Sequence, residues 1–484
     1  MTTAVPAAIL AFLVTALCTS RALAQGQPWL GDRRIGGGIG VRAGAFELHP
    51  GIAGEVGYDT NYFQSAGRVT PDGSLELIPP EYQPVDVDGG TFAEQGVFNE
   101  PRVGVFRFRL TPSLTIKTLG TQRTEGDGPA APPKVNLEGT VSASYNEMLA
   151  TDPQYANDVA DERYLGADAA VAADILPERP WGANVHGAYN RSVQPVNDPA
   201  APPRYGRSTF GAGAALRWRP NGGVLEWSAG YDLNYVMFED QDFSNFSSIN
   251  NSFTLRGRWL FLPRTALLYS GDFGVLTYPD GGPVKPEGSP LSSRLGINGL
   301  ITNHLAALVV VGWKSLFFVD DQNFDGVVGN VELTWYPLPR PDLSPEAATV
   351  GLSTISVGYR RDAAASYIGN YYQSDGGYVR ASYFAGGSVL ISLDAGAEHV
   401  QRPSSYFSNG VRQSGPSSEN RVNVTGFAEY RTSDTFGINT TLRYTANITD
   451  QLIPAASDNA RPPMPYDDLS FSRFEAWLGV RWFL

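Results

Sequence analysis

The sequence predicts an all-β protein: a transmembrane antiparallel up-and-down β-barrel of about 18 strands (16–18) with long extracellular loops. Three observations carry this. Apolar and polar residues alternate with a period of two along most of the chain. Short and long connections take turns between the alternating segments. An apolar leader opens the chain, yet no later apolar run is long enough to cross a bilayer as a helix, the longest being residues 305–312.

The leader comes first. Residues 1–24 carry an apolar core from Ala7 to Leu17 and the small-x-small triplet Ala22-Leu23-Ala24. They read as a cleaved signal peptide, so mature protein starts at Gln25 in the periplasm. Residues 25–44, with Arg33, Arg34 and the Gly36–Gly38 run, read as a periplasmic lead-in or a short plug. The barrel is assigned to residues 45–484.

Within it the alternation is regular. Phe106, Phe108, Leu110, Leu114 and Ile116 share one strand face, and Arg107, Arg109, Thr111, Ser113, Thr115 and Lys117 share the other. Trp181, Ala183, Val185, Gly187 and Tyr189 repeat the pattern, as do Leu225, Trp227, Ala229, Tyr231, Leu233 and Tyr235. Strands are expected to start near 45, 104, 134, 162, 181, 207, 223, 251, 264, 290, 304, 326, 348, 377, 388, 421, 435 and 472. Many run past the ~9–11 residues a tilted strand needs to cross a bilayer.

The connections support the same reading. Tight links are expected at 176–180, 219–223, 262–264, 302–304, 385–387 and 432–434, and long polar links at 190–206, 238–250, 279–289, 362–376, 401–420 and 449–471. Tight turns on one rim and long loops on the other mark an outer-membrane barrel, and an even strand count puts both termini in the periplasm. Residues 59–102 form a long acidic loop with Asp59, Asp72, Glu76, Glu81, Asp86, Asp88, Glu94 and Glu100, which either enters the pore or covers its rim. Residues 118–133 and 337–348 are Pro-rich links on the periplasmic side, either flexible turns or docking surfaces.

Alternation also assigns the two faces. Trp181, Trp218, Trp227, Trp259, Tyr269, Trp313, Trp335, Tyr359, Tyr430 and Trp482 are candidates for the interfacial girdles. The pore-lining candidates are Arg107, Arg109, Glu138, Arg217, Glu226, Asp232, Arg256, Arg258, Lys314, Glu332, Asp394, Arg421, Glu429, Arg443 and Arg481, with Asp272, Arg294, Arg360, Glu398, Arg431 and Glu475 on the same face. Both signs are present, so the expected wall is of mixed charge around a lumen too wide for side chains alone to fill.

Other chemistry is poorly supplied. A net charge of -13 argues against nucleic acid as a partner. The single cysteine, Cys18, leaves with the signal peptide, which removes disulfides and thiolate chemistry from the mature chain. His49, His186, His304 and His399 have no metal-ligand spacing, and Gly36-Gly37-Gly38-Ile39-Gly40 lacks the sequel of a phosphate-binding loop. No catalytic residue, metal or cofactor is assigned, and the chain reads as a non-enzyme.

Leu48-His49-Pro50-Gly51-Ile52, then Gly57-Tyr58-Asp59-Thr60-Asn61-Tyr62-Phe63, resembles the opening of bacterial outer-membrane β-barrel porins associated with exopolysaccharide export. Arg109-Leu110-Thr111-Pro112-Ser113-Leu114 is similar to their second strand. Phe474, Ala476, Leu478, Val480, Trp482 and Leu484 resemble the terminal assembly signal of outer-membrane proteins. The resemblance implies a conduit for polysaccharide cargo in the outer-membrane lipid. Its implied partners are a periplasmic polysaccharide export protein and the outer-membrane assembly machinery. A general diffusion or small-solute porin is the first alternative, and a structural or adhesion barrel binding through its outer loops is the second.

Overall fold

The computed structural model describes residues 40–66, 102–118, 134–193, 206–239, 241–281, 286–319, 322–337, 353–366, 370–385, 388–403, 416–449 and 469–484, with short strand pieces between them. The signal peptide, most of the lead-in, and most of the 59–102, 118–133 and 337–348 segments lie outside the described residues.

Eighteen long strands close into one antiparallel barrel. In chain order they are β2 (Phe46–Asp59), β5 (Val105–Thr118), β6 (Val135–Ala150), β7 (Tyr164–Ile175), β8 (Trp181–Ser192), β9 (Arg207–Trp218), β10 (Leu225–Phe238), β11 (Ser248–Leu262) and β12 (Thr265–Thr277). They continue with β13 (Gly288–Thr302), β14 (Leu305–Phe318), β15 (Phe324–Trp335), β16 (Thr354–Ala365), β17 (Tyr371–Ala385), β18 (Val389–Arg402), β21 (Ser417–Ser433), β22 (Phe436–Ile448) and β25 (Phe471–Phe483). Between these lie the short pieces β1 (Val41–Ala43), β3 (Glu76–Leu77), β4 (Gly96–Phe98), β19 (Ser405–Tyr406), β20 (Arg412–Gln413), β23 (Leu452–Pro454) and β24 (Tyr466–Asp468).

Each long strand pairs with its sequence neighbour among the long strands. The first meets the last in register from Gly51↔Phe483 to Asp59↔Glu475. Closure leaves no open sheet edge, the condition for a sheet to sit in lipid. Below that seam β1, within the stretch read as a lead-in, pairs with the start of β2 (Val41↔Leu48). The described chain ends therefore meet at one rim, where the Leu484 amide donates to the Pro50 carbonyl. The expected tight links at 176–180, 219–223, 262–264, 302–304 and 432–434 fall at this same rim, here called the short-turn rim.

The outer face is apolar. Ile52, Phe108, Leu216, Phe253, Leu295, Val311, Val357, Ile391, Leu442 and Leu478 are all exposed, each on the strand face opposite the inner polar residues. Large apolar side chains exposed on nearly every long strand make a continuous belt, which a water-soluble protein does not carry. Trp181, Trp218, Trp227, Trp259, Trp335 and Trp482 sit on this face near the short-turn rim. Towards the opposite, long-loop rim the outward aromatics hold polar partners. Tyr145 donates to Glu147 at 2.6 Å, Tyr359 to Asp375 at 2.6 Å, and Trp313 to Asp325.

Two strand starts differ from expectation. β16 starts at Thr354 rather than near 348, and β17 at Tyr371 rather than near 377. The expected long link 362–376 is in fact mostly strand. Its outward residues Gln373 and Asp375 are polar because the strand has passed beyond the belt, so the apolar alternation stops before the strand does. The register is unbroken there, through Asp375↔Arg361 and Gln373↔Ala363.

At the long-loop rim a small core forms. Helix α1 (Ala156–Asp161) inserts Val159 among Tyr62, Val103, Val105, Met148 and Tyr164, all buried. This brings the start of the 59–102 segment onto the inside of β5 and β6.

Candidate functional site: the inner wall

The candidate site is the inner face of the barrel. Strand alternation puts all fifteen pore-lining candidates there, opposite the apolar belt, but their surroundings divide them into two groups.

On β2, β21, β22 and β25, over most of β5 and at the Arg402 end of β18, the inner charges are buried and paired. Arg107 and Arg443 reach the Glu475 carboxylate at 3.1 and 3.3 Å, and Arg473 reaches both Glu475 (3.1 Å) and Asp59. Arg109 closes on Glu55 at 2.6 Å. The indole of Trp477 is packed beneath both arginines, 4.3 Å from the Arg109 guanidinium and 4.9 Å from that of Arg107. Four guanidiniums thus meet three carboxylates, and stacking on Trp477 supports the unbalanced charge. Tyr62 covers the group from the rim, with the Arg107 guanidinium 5.4 Å from its ring, and burial pushes its phenol far above the ordinary tyrosine range.

Two smaller networks flank this one. Glu419 takes Arg402 and Arg421, each at 2.6 Å. Near the short-turn rim Glu429 takes Arg431 at 3.0 Å and Arg481 at 2.5 Å. Charged groups this buried cannot line open water. Of the residues expected to line the lumen, Arg107, Arg109, Arg421, Glu429 and Arg481 are buried and Arg443 is nearly so. They form an ionic lattice within the wall, where opposite charges and hydrogen bonds offset their desolvation.

The remaining candidates, from β6 round to β18, are half-buried to exposed. Glu138 faces Lys117 at 3.6 Å, Arg256 holds Asp272 at 2.5 Å, and Arg380 holds Asp394 at 3.1 Å. Lys314 and Arg294 share Asp362 at 3.0 and 3.1 Å. Asp232 meets His186 at 2.9 Å across the inner face of Gly213 on the intervening strand. Glu332 accepts the Tyr378 hydroxyl at 2.7 Å, and Arg217 donates to the Pro177 carbonyl at 3.0 Å. Glu226 and Arg258 are register partners on this face. This part of the wall is polar, of mixed charge and half-buried to exposed.

Several residues of the site were missed by alternation alone. Asp59 was read as part of an outer loop, yet it ends β2 and is fully buried against Arg473. Glu55, Arg473 and Trp477 lie on the same inner faces as residues that were found, so strand parity was the signal that could have found them. Arg402 and Glu419 stand beyond the expected strand ends. Among the described residues no group of three or more His, Cys, Asp or Glu could hold a metal ion.

No protein-family model matches the chain, and no curated protein is similar enough to count as a relative. Solved structures do match along most of the chain. OpdQ of Pseudomonas aeruginosa has 10% identity over 91% of this chain and 97% of its own, with a TM-score of 0.40. A BenF-like porin from Pseudomonas fluorescens Pf-5 has 10% identity over 91% and 99%, with a TM-score of 0.42. The outer membrane protein OpdK of Pseudomonas aeruginosa has 10% identity over 90% and 99%, with a TM-score of 0.40. At such identities and scores these matches transfer neither solute nor partner to this chain.

Proposed function

We propose that this chain is an outer-membrane porin that passes small hydrophilic solutes. One observation carries the reading: a closed barrel with an apolar outer belt encloses a wall that is polar, of mixed charge and partly exposed on β6 to β18, and buried and ion-paired on most of the remaining strands. A wall of eighteen strands leaves an aqueous channel. Burial of one side confines the water-facing perimeter to the other side, which suits small solutes better than a polymer. On this reading lipid covers the belt, the short-turn rim and both termini face the periplasm, and the assembly machinery inserts the chain.

The polysaccharide conduit implied by the sequence resemblance gains no support from the matched structures or from this wall. Reconstitution separates the readings. Purified protein in planar bilayers should show stepwise conductance in potassium chloride, and proteoliposomes should swell in isosmotic glycerol. A silent bilayer, or loss of a surface polymer as the sole phenotype of a deletion strain, overturns the small-solute reading.

A further inference from the structure

On the hydrated wall most ionic groups are satisfied by a neighbour. Two that are not, among the described residues, stand on opposite sides of a glycine. Arg360 on β16, Gly376 on β17 and Glu398 on β18 are register partners in one row across the inner face. The next row holds Tyr378 and Gly396, again inward. Gly376 puts no side chain between the two charges, and a Cβ there would fall 2.9 Å from Glu398 Cβ. The Tyr378 ring walls the depression on one side, its hydroxyl held by Glu332 at 2.7 Å and Asn330 at 3.1 Å. Nearby charges are committed elsewhere: Arg380 to Asp394 at 3.1 Å, and Arg421 to Glu419 at 2.6 Å.

The result is a shallow basin about midway along the strands. It carries a guanidinium and a carboxylate two strands apart, roughly 10 Å between backbones from the usual interstrand spacing. We propose that this basin binds small zwitterionic solutes of the amino-acid type during passage, the solute carboxylate on Arg360 and its ammonium on Glu398. The inference rests on the pore reading above. A solute bearing both charges completes both groups at once, whereas a simple anion or cation leaves one of them unpaired. Both groups are half-buried, so the contact is partly screened and release stays fast, as passage requires.

The test is flux of labelled L-alanine into proteoliposomes holding the full-length mature protein, each variant normalised to its own glycerol flux. Wild-type alanine flux should saturate at millimolar concentration while glycerol flux stays linear. Arg360→Gln and Glu398→Gln should each raise the half-saturating concentration about tenfold, the scale of losing one charge-assisted hydrogen bond. The double swap Arg360→Glu with Glu398→Arg keeps both charges across Gly376 and should restore saturation. Ser392→Ala, elsewhere on the inner face, should match wild type. Non-saturating alanine flux in wild type, or single variants with the wild-type half-saturating concentration, overturns the basin while the pore reading stands. Passage of neither solute overturns the pore reading, and the basin with it.

Discussion

The indole of Trp477 lies across Gly57, on the inside of the seam where the last strand meets the first. The two residues are register partners, and a Cβ on Gly57 would fall within the Trp477 ring. Glycine here lets the indole lie flat beneath Arg107 and Arg109. Gly57→Ala should push the ring off its cation contacts and destabilise the barrel by about 1–3 kcal/mol, the usual cost of overpacking. Gly54→Ala is the control, because nothing lies within 4 Å of its Cβ position. Urea unfolding, followed by loss of heat-modifiable migration on gels, should separate the two variants. Equal midpoints would remove the seam role of this pair.

Arg473 and Asp59 fasten the same seam by charge. Both are almost fully buried, and Arg473 Nε lies 3.0 Å from each Asp59 carboxylate oxygen. Asp59→Asn removes the charge that Arg473 and, at 3.6 Å, Arg107 share, while both guanidiniums keep Glu475. Breaking a buried pair from one side costs about 3–5 kcal/mol. The double variant Asp59→Asn with Arg473→Met should recover part of that loss, because no charge is then stranded. Unfolding midpoints for the two singles and the double give the coupling directly, and additive losses would show that the two groups act independently.

How much of this was legible beforehand follows from what alternation reports. The period of two located strands wherever the outward face met lipid, as in Phe106 to Ile116. It failed at Gln373 and Asp375, where the strand continues past the belt and its outward residues turn polar. It also put Arg107 and Arg256 in one class, since both alternate with apolar neighbours. What separates them is burial: Arg107 is fully buried and Arg256 is not. That depends on which segments pack inside the barrel, a long-range property that residue spacing along one strand does not encode.

The belt predicts a sharp asymmetry between the two faces of one strand. Leu295 faces outward on β13, flanked by Tyr269 and Val311 in register, and is 55% exposed. Asn298, on the same strand, faces inward. In lipid, Leu295→Arg should cost about 2–4 kcal/mol near mid-depth, while Asn298→Arg on the hydrated wall should cost little. Folding titrations into phospholipid vesicles measure both. In water the same exposed Leu295→Arg change would be near neutral, so equal stabilities for the two variants would count against a membrane-embedded belt.

Glu239 supplies a pH-dependent contact beyond the belt, just past the end of β10. Its carboxylate takes the Arg191 guanidinium at 2.6 and 2.7 Å and the Ser208 hydroxyl at 3.1 Å. The Arg191 hydrogen bonds hold its carboxyl below the usual carboxylate range, against a smaller opposing effect of burial. The sign follows from linkage: a depressed folded-state pKa adds stability above the ordinary glutamate value of about 4.3, and that stability is lost as pH falls through the depressed value. The contact joins the ends of β8, β9 and β10 at the long-loop rim. Hydrogen exchange at that rim should therefore quicken as pH drops below about 4, once corrected for intrinsic rates. Glu239→Gln should exchange at the faster corrected rate throughout and lose this pH dependence. A variant that kept the wild-type profile would assign the titration to another group.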